Sequence, residues 1–171
     1  MKTKELVFMS LLVGIGAALN SILPGFIFGM KPDLPLVMMF LGIILFPKIK
    51  HTLLLGILTG IITALTTSFP LGQIPNMVDK PITAFFFLGC VLLVRSFKKQ
   101  LLSYSLLTAL GTIISGSIFL GSALLIVSLP GGASFSLLLI TVVLPTTVIN
   151  AVAMTIIYPV VLRILSRMKI V

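Results

Sequence analysis

Six apolar runs follow one another along the chain, and short stretches of proline, glycine and charged residues separate them. A helix that spans a bilayer needs about 20 apolar residues, and prolines, glycines and charges mark the breaks between such helices. The pattern therefore predicts an all-α polytopic membrane protein, in which a single domain over residues 1–171 forms a bundle of six transmembrane helices. The predicted spans cover residues 6–23, 34–46, 53–69, 82–94, 102–129 and 135–162.

Two of these runs are too short to cross a bilayer unaided. The second (34–46) and the fourth (82–94) have far fewer than the usual number of apolar residues. Short spans either extend into the flanking loops or stop partway, with protein covering their ends. Both short runs begin directly after a polar gap, so these gaps become the first places to look for chemistry.

Composition agrees with a membrane protein and excludes several classes of site. Of the 171 residues, 58% are hydrophobic and only 9% are charged, whereas a soluble domain carries about a quarter charged residues. One cysteine and one histidine, Cys90 and His51, exclude an internal disulfide and leave no predicted metal site. No serine or cysteine has a histidine and an acid beside it, and no phosphate-binding loop occurs, so we predict no catalytic residue and no ATP hydrolysis by this chain.

The basic residues predict the orientation in the membrane. Ten of the twelve fall on one side of the predicted spans, which is the side that carries both termini: Lys2, Lys4, Lys48, Lys50, Arg95, Lys98, Lys99, Arg163, Arg167 and Lys169. Cytoplasmic loops are rich in Lys and Arg, so we expect both termini to be cytoplasmic. The net charge of +9 then reflects anchoring at an anionic leaflet rather than binding to nucleic acid.

The two polar gaps on the predicted outer side resemble each other. "PGFIFGMKPD" (24–33) and "PLGQIPNMVDKP" (70–81) both end with a Met, a Lys, an Asp and a Pro nearby, and they contain two of the three acidic residues of the chain, Asp33 and Asp79. A Lys and an Asp held together match the carboxylate and the amine of an amino acid. Helices two and four would begin here, and a helix N-terminus also attracts a carboxylate. A plainer interpretation is that both Asp side chains only favour the positive ends of those helices.

Apolar and amide side chains around the gaps complete a candidate binding site. Phe and Met suit an aromatic ring, and amide oxygens accept a hydrogen bond from a ring N–H; alternatively, these Phe and Met residues face lipid or neighbouring helices. Asn150, in the middle of the sixth run, either reaches a ligand or bonds a neighbouring helix. The predicted substrate-binding residues are Lys31, Asp33, Gln73, Asn76, Asp79, Lys80, Phe28, Met38, Asn20 and Asn150.

Two stripes of small residues recur at four-residue spacing, a spacing that allows helices to approach closely in membranes. Each stripe either packs within this protein or docks onto a partner subunit. The first is Ser10, Gly14 and Ala18, and the second is Gly56, Gly60 and Ala64.

Long stretches of the chain resemble the bacterial tryptophan-transport protein family. They are "MKTKEL" at the start, "PGFIFGMKPDLPLVMMFLGIILFPK" (24–48) and "TGIITALTTSFPLGQIPNMVDKPITAF" (59–85). That family is itself similar to the substrate-binding subunits of energy-coupling-factor importers. The resemblance implies uptake of tryptophan, or of a similar aromatic amino acid, across the bacterial cytoplasmic membrane, with the site near the outer ends of the helices.

The resemblance also implies partners. They are a transmembrane coupling subunit and two cytoplasmic ATPase subunits, which use the ATP, so this chain needs no cofactor of its own. Ser10, Gly14 and Ala18 stand where such subunits have an Ala-x-x-x-Ala docking pattern, and they depart from it in two residue types. A stand-alone secondary carrier for tryptophan or a related aromatic compound is the alternative, and a membrane protein without a transport function is a third possibility.

Overall fold

The computed structural model describes residues 3–22, 33–97, 100–126 and 129–167. Within these ranges, five helices are long and apolar enough to cross a membrane, and a shorter apolar helix lies among them. The predicted all-α six-helix membrane bundle is confirmed, whereas the cytoplasmic location of both termini stays a prediction. The helices are α1 (Thr3–Ile22), α2 (Leu34–Leu45), α3 (Ile49–Thr66), α4 (Gln73–Val94), α5 (Gln100–Ile126) and α6 (Phe135–Arg167).

The short helix α2 is the centre of the bundle. It contacts all five other helices, and every residue from Pro35 to Ile44 is buried. Its 12 residues rise about 18 Å at 1.5 Å per residue, against a hydrocarbon core of about 30 Å. The Asp33 side chain caps its first turn by accepting a hydrogen bond from the Leu36 N–H at 3.1 Å. The second run therefore stops partway and is covered by protein, one of the two outcomes expected for a short span.

The other short run becomes a full-length helix. The predicted run at 82–94 extends into its flanking gap, which is the other outcome expected for a short span, because α4 begins at Gln73 and contains 22 residues. Most of the second polar gap is therefore helical, and Pro81 lies inside the helix rather than in its first turn. A helix tolerates an interior proline at the cost of one hydrogen bond, and the charged residues before Pro81 are compensated by partners on other helices, as described below.

The glycines of α3 lie against α4. A Cβ atom on Gly56 would lie 3.0 Å from the Pro81 Cα and 3.1 Å from the Ala84 Cβ, and one on Gly60 would lie 3.4 Å from the Asn76 carbonyl oxygen. Ala64 is buried on the same stripe. This stripe packs within the protein, which confirms the plainer interpretation for α3.

The stripe on α1 has the opposite environment. Ser10, Gly14 and Ala18 are all exposed, and a Cβ atom on Gly14 would meet nothing within 4 Å. The glycine of α1 that packs inward is Gly16, where a Cβ atom would lie 3.0 Å from the Pro35 Cα. Packing among the described residues therefore does not account for the first stripe.

The contrast between buried and outward-facing glycines gives a stability prediction. We expect Gly56→Val to destabilise the protein, because the added methyl groups have to displace the backbone at Pro81; overpacking of this kind costs about 1–3 kcal/mol. Gly121→Val is the matched control, since a Cβ atom there meets nothing within 4 Å. Thermal unfolding in detergent should show a lower midpoint for Gly56→Val alone, and equal midpoints would contradict the α3–α4 contact.

The third acidic residue ties two helices together at the end of the bundle where α1 begins. Glu5 accepts a hydrogen bond from the Lys48 Nζ at 3.0 Å, and its other oxygen lies 2.9 Å from the His51 Nε2. Lys48 is well exposed and His51 is buried. Glu5 therefore has a structural role between α1 and α3, and the two remaining carboxylates lie near the opposite end of the bundle.

Candidate functional site

A cavity opens near the end of the bundle where α1 and α3 finish and α2 and α4 begin. It holds about 660 Å³ of empty space, its open mouth included. Each of the six helices contributes to its wall or to the turn beside it. The lining residues are Asn20, Asp33, Leu36, Thr63, Thr67, Ser68, Phe69, Asn76, Asp79, Lys80, Thr112, Ser115, Gly116, Phe119, Val142, Val143 and Thr146.

An ion cluster of one lysine and two aspartates forms one side of the cavity. The Lys80 Nζ donates to Asp33 Oδ2 at 2.5 Å and to Asp79 Oδ2 at 2.7 Å, and it lies 3.4 Å from the Ser115 Oγ. Ser115 donates to Asp79 Oδ2 at 2.7 Å, and Thr83 donates to Asp79 Oδ1 at 2.7 Å. The cluster joins α2, α4 and α5 in one hydrogen-bonded network.

The three charges are buried to different degrees. The side chain of Asp79 is 0% exposed and that of Lys80 is 2% exposed, whereas that of Asp33 is 24% exposed. Burying a charge is costly unless it is paired and hydrogen-bonded, and both Asp79 and Lys80 meet that condition. Asp33 is therefore the most accessible member of the cluster.

An aromatic pair forms another part of the wall. The rings of Phe69 and Phe119 lie edge to face, with centroids 5.1 Å apart at 80°. Val142 and Val143 of α6 continue the apolar surface, and Gly116 of α5 lets α6 come close, since a Cβ atom there would lie 2.6 Å from the Val143 Cγ1. The two valines end a π-helical turn, Leu139–Val143, a feature that often marks functional sites in helices. The cavity thus combines charged groups with an apolar, aromatic wall, as small-molecule sites do.

The structure brings together half of the residues that the sequence pointed to. Asn20, Asp33, Asn76, Asp79 and Lys80 all line the cavity. Asn20 donates to the Thr66 Oγ1 at 2.6 Å, and Asn76 donates to the Gly72 carbonyl at 2.9 Å, so both amides are held in place.

The other predicted residues are distributed differently. Gln73 is exposed and does not line the cavity, and Met38 is buried in the core beside Gly16. Asn150 lies behind the wall, where it donates to the Thr112 Oγ1 at 3.2 Å. Phe28 and Lys31 lie outside the described residues.

The plainer interpretation, in which both aspartates are only helix-end charges, fits Asp33 in part and does not fit Asp79. Asp33 does cap a helix, as that interpretation expects, and it also pairs with Lys80. Asp79 lies in the interior of α4, one turn before Thr83, and is not a helix-end charge. Phe85 and Phe86, which follow the second polar gap along the chain, are each 40% exposed on the outside of α4, in agreement with the interpretation that such residues face lipid.

Sequence reasoning missed the contribution of α5. Ser115, Gly116 and Phe119 follow one another along a helix that is apolar almost throughout, so no break or charge draws attention to them. The one available signal is the line of small hydroxyl residues at helical spacing, Thr108, Thr112 and Ser115, which a lipid-facing helix does not need.

Comparison with known proteins gives a consistent result. The family model described as "Tryptophan transporter TrpP" matches residues 2–166. A protein of Bacillus subtilis named "Probable tryptophan transport protein" is 58% identical over 167 residues, which cover 98% of this chain and 95% of that protein. A protein of the same name from Clostridium acetobutylicum is 45% identical over 161 residues, with 92% and 91% of the two chains covered. No solved structure is significantly similar to this chain.

Proposed function

The chain belongs to the family of the tryptophan transporter TrpP, and from that premise we propose that it is the substrate-binding membrane subunit of an ATP-driven tryptophan importer. Its family and its apolar helices make it a multi-pass bacterial membrane protein and a transport protein rather than an enzyme. The proposal adds the binding site, the orientation and the partners.

The cavity is the proposed tryptophan site. The observation that carries this assignment is the juxtaposition of an accessible carboxylate, Asp33, with the edge-to-face pair of Phe69 and Phe119 in one cavity. The ligand's ammonium makes a charge-assisted hydrogen bond to Asp33, and its indole ring packs on the aromatic pair, where ring contacts add about 0.5–1.5 kcal/mol each beyond burial. Thr67 and Thr146 offer hydroxyl oxygens to the indole N–H.

The energy source and the partners are the second part of the proposal. With the cavity facing outward, the subunit captures tryptophan outside, and a coupling subunit with two ATPases drives its release inside. The outward-facing stripe of Ser10, Gly14 and Ala18 supports this, because three small residues on an exposed helix face allow another helix to approach closely. Asp79 is an acid buried inside α4, and proton-driven carriers use such residues, so the energy source needs its own test.

Tryptophan binding is testable without a label, because the protein has no tryptophan residue of its own and only two tyrosines. Excitation at the red edge of indole absorption reports on the ligand alone. We expect tryptophan to show saturable, blue-shifted emission on addition of the purified protein in detergent, since the ring enters an apolar wall. Emission identical to that of free tryptophan at every concentration would remove the ligand from the proposal.

The mode of energy coupling needs a separate measurement. Uptake of tryptophan is compared in liposomes that contain this protein alone with a proton gradient, and in liposomes that also contain the coupling subunit and the two ATPases of the source organism with internal ATP. We expect uptake only in the second preparation. Uptake by the protein alone would instead establish the stand-alone carrier.

A further inference from the structure

The ammonium of Lys80 has no hydrogen-bond donor left for a ligand. A lysine has three N–H donors, and the Lys80 Nζ has three oxygen neighbours, on Asp33, Asp79 and Ser115, at 2.5, 2.7 and 3.4 Å. Its side chain is 2% exposed. A ligand carboxylate therefore cannot reach Lys80 without first removing one of these acceptors.

The carboxylate oxygens of the cluster can accept further hydrogen bonds. A carboxylate offers about four lone-pair sites, and the two oxygens of Asp33 accept one described hydrogen bond each, from the Leu36 N–H and from Lys80. Among the described lining residues, the charged groups are Asp33, Asp79 and Lys80, so their formal charges add to minus one. The described part of the cavity is therefore complementary to a cation.

We propose that the site recognises the amino group of its ligand and not the carboxylate, so that it accepts aromatic primary amines as well as amino acids. This rests on the proposed function, since it concerns the same cavity. The ligand's ammonium binds a free lone pair of Asp33, and Lys80 stays paired with Asp33, Asp79 and Ser115. The ligand's carboxylate, where there is one, points towards the open mouth and away from the negative cluster.

Ligand chemistry separates this proposal from a zwitterion site in which Lys80 holds the carboxylate. The charges of the cluster and of the ligand together add to zero with an amine and to minus one with an amino acid. With an indole carboxylate that lacks the amine, they add to minus two, and like charges repel one another. The order of affinity should therefore place the amine and the amino acid together and the acid far below them.

The experiment uses the indole emission of three ligands in turn: tryptophan, tryptamine and indole-3-propionate. We expect tryptamine to bind within about tenfold of tryptophan and indole-3-propionate to bind about a hundredfold more weakly, which is near the upper end of the effect of losing a hydrogen bond to a charged group. Tryptamine a hundredfold weaker than tryptophan, or indole-3-propionate equal to it, overturns the proposal.

The variant Asp33→Asn is expected to narrow the difference in affinity between the amine and the acid. Asparagine caps a helix as well as aspartate does, so α2 keeps its first turn, but the cluster becomes neutral and Lys80 loses one strong acceptor. We expect tryptamine affinity to fall at least about tenfold and indole-3-propionate affinity to rise. A uniform loss of all three ligands overturns amine recognition by Asp33.

The outcomes also separate this inference from the proposed function. Absence of binding by tryptophan together with binding by tryptamine overturns tryptophan as the substrate and supports amine recognition. Binding by tryptophan and indole-3-propionate, without tryptamine, supports the proposed function and overturns the inference. Absence of binding by all three overturns both.

Discussion

The variant Asp79→Asn is expected to lose tryptophan binding almost completely. In the liganded native cluster, two carboxylates, Asp33 and Asp79, balance two cations, Lys80 and the ligand's ammonium. Without the Asp79 charge, Asp33 alone faces both cations, so binding leaves one buried cation uncompensated. An unpaired buried charge of this kind costs about 3–5 kcal/mol, which corresponds to roughly two to three and a half orders of magnitude in affinity. A titration of tryptophan with the variant, followed by indole emission excited at the red edge, measures this loss of affinity directly.

A second substitution should rescue that variant. In Asp79→Asn/Lys80→Met, the buried cation is absent as well, so Asp33 remains alone with its negative charge and has no lysine to compete with the ligand. Replacing a buried ion pair with groups of similar volume that carry no charge is often neutral for stability. We therefore expect the double variant to fold and to bind tryptophan far more tightly than Asp79→Asn does.

The rescue distinguishes an indirect role from direct contact. If the double variant binds no better than the single one, Asp79 or Lys80 contacts the ligand itself, and our assignment of Lys80 as an internal counter-ion is wrong. If Asp79→Asn binds tryptophan normally, the ion cluster is a structural tie between α2, α4 and α5, and the binding site lies elsewhere. Thermal unfolding of both variants shows whether a loss of binding is only a loss of fold.

The same cluster explains where sequence reasoning about the fold succeeded and where it failed. The start of α2 was predictable, because Asp33 and Pro35 are a helix cap and an early-turn proline that act within a few residues. The start of α4 was not, because Asp79, Lys80 and Pro81 look like a polar loop. Hydropathy is summed along the chain, whereas the pairing that makes these charges tolerable joins Lys80 to Asp33, 47 residues away.

The residues of the candidate site also divide into those that the sequence identified and those that it missed. Asp33, Asp79 and Lys80 stood out because charges are rare in this chain, and the structure brings all three together. Phe119 and Ser115 did not, because an apolar or small residue in an apolar helix looks the same whether it faces lipid or a cavity. Only the packing of α5 against α4 and α6 gives these residues their positions.

The sequence also does not show whether a stripe of small residues packs inside the protein or faces outward, where it can contact a partner. Gly14 and Gly56 stand in stripes of equal spacing, but Gly56 is buried against Pro81 and Gly14 has open space in front of it. Glycine in a helix interior costs about 1 kcal/mol relative to alanine. Packing within the described residues does not offset that cost at Gly14, whereas close approach of a partner helix would offset it.

We therefore expect Gly14→Leu to abolish uptake while leaving tryptophan binding unchanged. A leucine side chain on the exposed face of α1 keeps a coupling subunit at a distance, because close helix contact in membranes depends on small residues. The cavity is untouched, since of the residues of α1 only Asn20 lines it. Uptake in ATP-loaded liposomes should fall at least about tenfold, the effect of losing about 1.4 kcal/mol of association, and co-purification with the coupling subunit should fall with it.

Gly89→Leu is the matched control for this prediction. Gly89 is also exposed, on α4, and a Cβ atom there also meets nothing within 4 Å, so the same substitution adds the same bulk to a different face. Loss of uptake in Gly14→Leu alone places the coupling subunit on α1. Loss in Gly89→Leu alone moves the docking face to α4. If both variants transport normally, the stripe of Ser10, Gly14 and Ala18 faces lipid, and the proposed coupling subunit loses its contact surface on this protein.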